Sequence, residues 1–253
     1  MEQYFARAQS IMCEETVRFQ PLGPDLAWNG SHVRELVYEL RVSWEPSATD
    51  GRPSEANVVR QLISVDGRRP RDGDEPGCMD PKPVSPEPLA MLLPLQQREY
   101  AFTHAGRKRL GAASAVMLDY KPVNTQPPTT TWKGDCMSVE LPGRWRGRIW
   151  VESETLDVLR LDEQLVGTFE VRLPKEQARR SSAVSLTIER ANSSTRYQPV
   201  HFSDPDETVV LPESIVSLQV IRDSGLPRVR TFQTFSRYRR FITGGRVVDA
   251  ETR

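Results

Sequence analysis

Little in this chain points to bond chemistry. Its 253 residues include three cysteines and three histidines, and neither set is clustered. Cys13, Cys78 and Cys136 show no C-x-x-C spacing, and His32, His104 and His201 fall in separate segments, so no metal site is expected. There is no P-loop, no G-x-G-x-x-G and no G-x-S-x-G, which removes the usual sequence support for a phosphate cradle, a dinucleotide cofactor or a nucleophile elbow. No cofactor is expected. Net charge is missing too: 34 basic residues balance 34 acidic ones, with the signs interspersed. The basic stripe that phosphate backbones require is absent, and no nucleic-acid partner is expected. The longest apolar cluster, Leu89 to Leu95, contains Pro94 and falls far short of the ~20 apolar residues of a membrane-spanning helix. No repeat of fixed period is visible.

What is present is a β pattern. From Arg34 to Trp44, Leu36, Tyr38, Leu40, Val42 and Trp44 alternate with Val37, Glu39, Arg41 and Ser43, the signature of a strand with one buried face. Asn57 to Val65 alternates likewise, and Asp66-Gly67 is a turn signal. Gly147 to Leu173 reads as three strands, with turns at Glu152-Ser153-Glu154-Thr155 and Asp162-Glu163-Gln164. Glu99–Thr103 with Ala115–Tyr120, and Ser182–Arg190 with Tyr197–Phe202 across Asn192-Ser193-Ser194, give further hairpins. Val209–Leu218 and Val229–Val248 close the chain. The fold class is mainly β (α+β): one curved antiparallel sheet or half-open β-barrel of about ten strands in a single domain, 1–253.

Two helices are expected. Residues 1–16 put Tyr4, Ala8, Ile11 and Met12 on one stripe, the mark of an amphipathic N-terminal helix. Residues 85–97 (SPEPLAMLLPLQQ) combine a capping serine, a first-turn proline and a nearly all-apolar body, which reads as a short apolar helix closed by Pro94. Such a helix must be buried or must cover something apolar. It is either a plug completing an ordinary core or a lid over a ligand cavity on the concave face. Residues 68–83, rich in Arg, Asp, Gly and Pro, are expected to form a mobile loop.

Cys78 and Cys136 lie in polar, exposable contexts (EPGCMDPKP and WKGDCMS), and the favoured reading is a disulfide between them in an oxidising compartment. Cys13 reads as a buried free thiol. A cysteine nucleophile with a histidine base has no local motif. The aromatic and basic run Phe235 to Phe241 is read as a solvated strand face, with headgroup or partner contact as its alternative. Met1-Glu2-Gln3 leads into the amphipathic segment without the basic and apolar regions of a signal peptide.

Three segments carry a resemblance: Leu141-Pro142-Gly143-Arg144-Trp145-Arg146-Gly147-Arg148-Ile149-Trp150-Val151 with Glu154-Thr155, the Cys78 and Trp132 to Cys136 contexts, and Phe235 to Phe241. Together they resemble a family of uncharacterised exported bacterial proteins, itself similar to the outer-membrane lipoprotein carrier and receptor superfamily. The resemblance implies an unfinished barrel wrapped around helices, a periplasmic or otherwise exported location, and an apolar cavity for acyl chains. None of the carriers' functional residues maps onto this chain.

The leading expectation is a monomeric, non-enzymatic envelope protein binding a lipid or other hydrophobic molecule. Tyr38, Leu89, Leu92, Leu93, Tyr100, Phe102, Trp150 and Phe169 are the candidate lining residues, and a peripheral membrane or protein partner is compatible with the same reading. Two alternatives stand beside it. One is an envelope scaffold or interaction module whose core is filled by its own side chains; the other is a hydrolase-like enzyme using His104 or His201.

Overall fold

The computed structural model describes residues 10–43, 57–74, 77–79, 87–94, 96–111, 113–134, 136–181, 183–222, 228–242 and 246–248. Fourteen strands fill most of that length: β1 (Ile11–Leu22), β2 (Arg34–Ser43), β3 (Asn57–Val65), β4 (Tyr100–Leu110), β5 (Ala113–Pro122), β6 (Thr129–Lys133), β7 (Cys136–Glu140), β8 (Trp145–Glu152), β9 (Val158–Leu165), β10 (Phe169–Arg172), β11 (Ser185–Ser203), β12 (Asp206–Arg222), β13 (Arg228–Ile242) and β14 (Arg246–Val248). One short helix, α1 (Lys175–Ser181), joins β10 to β11, and short 3₁₀ helices occupy Gly77–Met79, Glu87–Leu92 and Gln97–Glu99.

Twelve strands make one antiparallel sheet in the order β3-β2-β1-β13-β12-β11-β9-β8-β5-β4, with β10 beside β11 and β14 beside β13; β6 and β7 form a separate ribbon. The end strands β3 and β4 are not paired with each other, so the sheet is open and no barrel closes. Register shifts in β1–β13, β2–β3, β4–β5, β8–β9 and β11–β12 mark bulges, which bend and coil a sheet. The expected single curved sheet is therefore present.

The topology explains the cover. Consecutive strands β3 and β4 stand at opposite ends of the path. Nine inter-strand spacings of ~4.8 Å would separate them by roughly 43 Å in a flat sheet, so residues 66–99 must cross from one end to the other. The apolar segment lies on this crossing. Leu89 and Met91 pack in one cluster with Tyr120, Ile149, Val158 and Leu161, on the inner face of β5, β8 and β9.

Several expectations are corrected. Residues 11–16 are not helical: β1 pairs with β2 on one side and β13 on the other, and Ile11, Cys13, Glu15, Val17 and Phe19 all point inward. The charge at position 15 hid this alternation; residues 1–9 of the expected helix lie outside the described residues. The apolar segment is a 3₁₀ helix over Glu87–Leu92. Pro88 and Pro94 leave too short a run for i→i−4 bonding. Asp162-Glu163-Gln164 is the end of β9, the chain turning instead at Val166-Gly167-Thr168, and Asn192-Ser193-Ser194 is mid-strand in β11. Within the expected 68–83 loop, Arg68 and Asp74 form a two-pronged ion pair; residues 75–76 and 80–83 lie outside the described residues.

Two inward charges on this side of the sheet are neutralised by partners. Glu15, fully buried, receives both prongs of Arg60 at 2.8 and 3.0 Å and the Gln233 amide at 2.8 Å, while the Arg60 guanidinium lies 3.9 Å above the Tyr38 ring. At the other end of β1, a bulge opposite Cys13 gives Arg237 a positive φ of 54°. It shifts the phase of β13 so that Phe235 and Tyr238 both point inward. Arg240 then pairs with Glu207 and stacks on Phe202.

Candidate functional site

In an antiparallel ladder, directly paired residues share a face, so the register alone assembles the site. Phe102 pairs with Tyr120, Tyr120 with Gly147, Gly147 with Glu163, and Glu163 with Ser193. These five residues form one row across β4, β5, β8, β9 and β11. Gly147 is the gap in it. A Cβ there would stand 2.2 Å from the Asp162 carbonyl oxygen and 2.6 and 2.7 Å from Cε1 and the hydroxyl of Tyr120. A glycine within a strand often marks such a close approach. Because position 147 has no side chain, Tyr120 lies across β8 and donates its phenol to Glu163 Oε1 at 2.7 Å.

Over this row is a recess of about 240 Å³ lined by Met91, Gln96, Tyr100, Tyr120, Pro122, Pro142, Gly143, Trp145 and Glu163. The next row up supplies Tyr100, Pro122 and Trp145, since Tyr100 pairs with Pro122 and Trp145 stands two residues before Gly147. The crossing segment supplies Met91 and Gln96, and the turn before β8 supplies Pro142 and Gly143. That turn also depends on a glycine. Gly143 has a φ of 72°, and a Cβ on it would meet the Asn124 carbonyl oxygen at 2.1 Å.

The walls are aromatic. Tyr100 and Tyr120 meet edge to face with centroids 5.9 Å apart, and Phe102 stands 6.3 Å from each. Burial pushes the Glu163 carboxyl up from its ordinary value, partly offset by the hydrogen bonds from Tyr120 and Ser193. Burial, and then the nearby Glu163 charge, raises the Tyr120 phenol. Tyr100 moves the same way, through burial first and then Glu99 and Glu163. No basic side chain among the described residues is paired with Glu163.

The eight expected lining residues separate into groups. Leu89 and Leu92 of the cover, with Tyr100 and Phe102, belong to one cluster, and Tyr100 reaches the recess itself. Leu93 is buried on the same segment. The other three lie elsewhere. Trp150 is on the opposite face, one residue out of phase with Ile149, packed on Ala115 and Met117 with its Nε1 donating to Asp162 at 3.1 Å. Phe169 packs near Leu141, Val171 and Ile188, and Tyr38 is under Arg60 in the cluster of Val17, Phe19 and Leu36.

His104 and His201 are both exposed and line no part of the recess. His201 faces Asp206 at 3.7 Å near the β11–β12 hairpin tip. Among the described residues no group of three or more His, Cys, Asp or Glu side chains is arranged for a metal. Cys78 and Cys136 are bonded, joining the Gly77–Met79 turn to β7. Cys13 is the buried free thiol, its pKa pushed up mainly by burial. Glu163 and Gly147 were not among the expected site residues. A glycine between two arginines inside a strand pattern was the available signal for the second; Glu163 carried none.

No family model matches the sequence, and no curated protein does. Solved structures similar to this chain include a domain from Vibrio parahaemolyticus provisionally assigned to outer membrane lipoprotein sorting, 9% identical, covering 97% of this chain and 92% of that one with a TM-score of 0.43. A DUF1329 family protein from Desulfovibrio piger is 11% identical over 96% and 90% of the two chains, with a TM-score of 0.42. A LolA superfamily protein from Nitrosomonas europaea is 10% identical over 94% and 90%, with a TM-score of 0.38.

Proposed function

We propose that this is a non-enzymatic protein of the cell envelope that binds a hydrophobic or amphiphilic ligand in the recess beneath the crossing segment. The observation that carries the reading is the recess itself. It has an aromatic and methionine-lined wall, one carboxylate at its floor, and an apolar 3₁₀ cover held on the concave face. At about 240 Å³ it falls below the ~300–1,000 Å³ usual for ligand sites, so it suits a head or a short stretch of one chain more than a whole multi-chain lipid. The Cys78–Cys136 bond supports an oxidising compartment.

Native mass spectrometry of gently purified protein, with organic extraction and lipid analysis of the same sample, tests the proposal. A bound mass lost on extraction is expected. A clean apo mass, unchanged after incubation with single-chain amphiphiles, would overturn it. A second reading, an interaction module, draws on end strand β3, which exposes Val59 and Ile63 and has no partner strand on its outer edge among the described residues; such edges invite pairing with another chain. An apo mass together with concentration-dependent self-association or strand-mediated capture of a peptide would favour that reading.

A further inference from the structure

The head chemistry of the ligand can be read from an imbalance of charge. Glu14, Glu15, Asp119, Asp162, Glu189 and Glu207 each face an arginine. Glu163 does not. Its described partners are two hydroxyls, Tyr120 at 2.7 Å and Ser193 at 3.5 Å, and it alone among those carboxylates lines the recess. A desolvated carboxylate is costly without a countercharge, and hydroxyl donors supply only part of one. Three of the other lining residues are aromatic, Tyr100, Tyr120 and Trp145, and none of the rest carries a charge. Aromatic faces bearing a π quadrupole, gathered around one carboxylate, are the recognition chemistry of an organic ammonium ion.

Resting on the cavity reading above, we propose that the recess binds an organic ammonium group, with Glu163 as its counter-charge and Tyr100, Tyr120 and Trp145 as its aromatic walls. An anionic head is disfavoured, since a second carboxylate or phosphate would stand beside Glu163 with no described cation to screen it. The small volume agrees, because a methylated ammonium head with the first carbons of a chain needs much less room than a diacyl lipid. The same chemistry is offered by a free small cation or by the head of a single-chain amphiphile.

Calorimetric titration of the whole protein separates these sources and tests the assignment. The probes are dodecyltrimethylammonium, dodecanoate and a neutral dodecyl glycol, each below its micelle concentration, together with tetramethylammonium alone. The ammonium amphiphile is expected to bind at least tenfold tighter than dodecanoate at pH 7.5. Glu163→Gln is expected to remove that preference, and its circular dichroism spectrum and cooperative melt show that the variant is folded. Tyr100→Leu should weaken the ammonium probe more than the neutral one. Equal affinity for the three heads, or a preference surviving Glu163→Gln, would overturn the head assignment and leave the cavity reading standing. Failure of every chain-bearing probe would overturn the cavity reading; tetramethylammonium binding as tightly as the amphiphile would retain the cation site and remove the chain from it.

Discussion

The Tyr120 phenol reaches Glu163 across 2.7 Å by passing over Gly147, the one position between them with no side chain. Three strands thus meet at a single hydrogen bond, and each of the three residues can be tested separately.

Replacing Gly147 by Ala is the sharpest steric test. The new methyl would stand 2.6 and 2.7 Å from two Tyr120 atoms and 2.2 Å from a backbone oxygen of β9, so the ring and the strand spacing must both give. Overpacking of this kind costs about 1–3 kcal/mol. Urea denaturation should show that loss, and ligand titration should show a weaker site. A variant with wild-type stability would mean that the β8–β9 contact is looser than described.

Glu163 carries a pH prediction. Burial raises its folded pKa above the unfolded value, so the folded state holds this proton more tightly. The group's contribution to stability is fully present below the unfolded carboxylate range and is lost as pH rises through the raised folded pKa. The other titratable groups facing it, Tyr100 and Tyr120, are raised as well, each mainly by burial. Glu163→Gln should therefore raise the Tm of the ligand-free protein by a few degrees at pH 8, with the gain shrinking toward pH 4. A variant melting lower than wild type at pH 8 would contradict the sign.

The cover is tested at Leu89, which is 1% exposed in the cluster with Ile149 and Leu161. Leu89→Ala should lower unfolding free energy by about 2–5 kcal/mol, measured as a fall in the urea midpoint. A loss below about 1 kcal/mol would place the segment outside the cooperative core.

Far from the recess, Arg60→Met would strand the fully buried Glu15 with only the Gln233 amide among its named partners. Breaking one member of a buried pair typically costs about 3–5 kcal/mol, whereas replacing both by apolar groups is often neutral. The Glu15→Leu/Arg60→Met double variant should therefore recover most of the stability lost by Arg60→Met alone, measured by the same urea melts.

The strands read most directly from sequence are those with a continuous apolar face. β2 is the clear case, with Leu36, Tyr38, Leu40 and Val42 inward. β1 was hidden because Glu15 occupies a core position, and its local spacing mimics a helical stripe. Ser193 and Glu163 were hidden for a related reason: polar residues paired with each other inside a strand look, one at a time, like turn residues. The apolar character of residues 89–93 predicted a cover, and that followed from composition alone. Which residues it covers depended on pairings such as Ile11 with Arg240, which local patterns cannot encode. The cysteine pairing was legible because both thiols lie in polar loop contexts where a free thiol would be reactive. Trp150 was misplaced by a single step of register, which moves a side chain through the sheet.

The Cys78–Cys136 bond spans 58 residues and closes a covalent ring that contains the cover, β4, β5 and β6. A protease cutting once anywhere between residues 79 and 135 would therefore leave a single molecule, which runs as two fragments only after reduction. Both halves of a severed crossing segment would remain tethered, one to each partner cysteine. In an environment containing proteases, a crossing segment cut anywhere after Cys78 can be nicked without being shed.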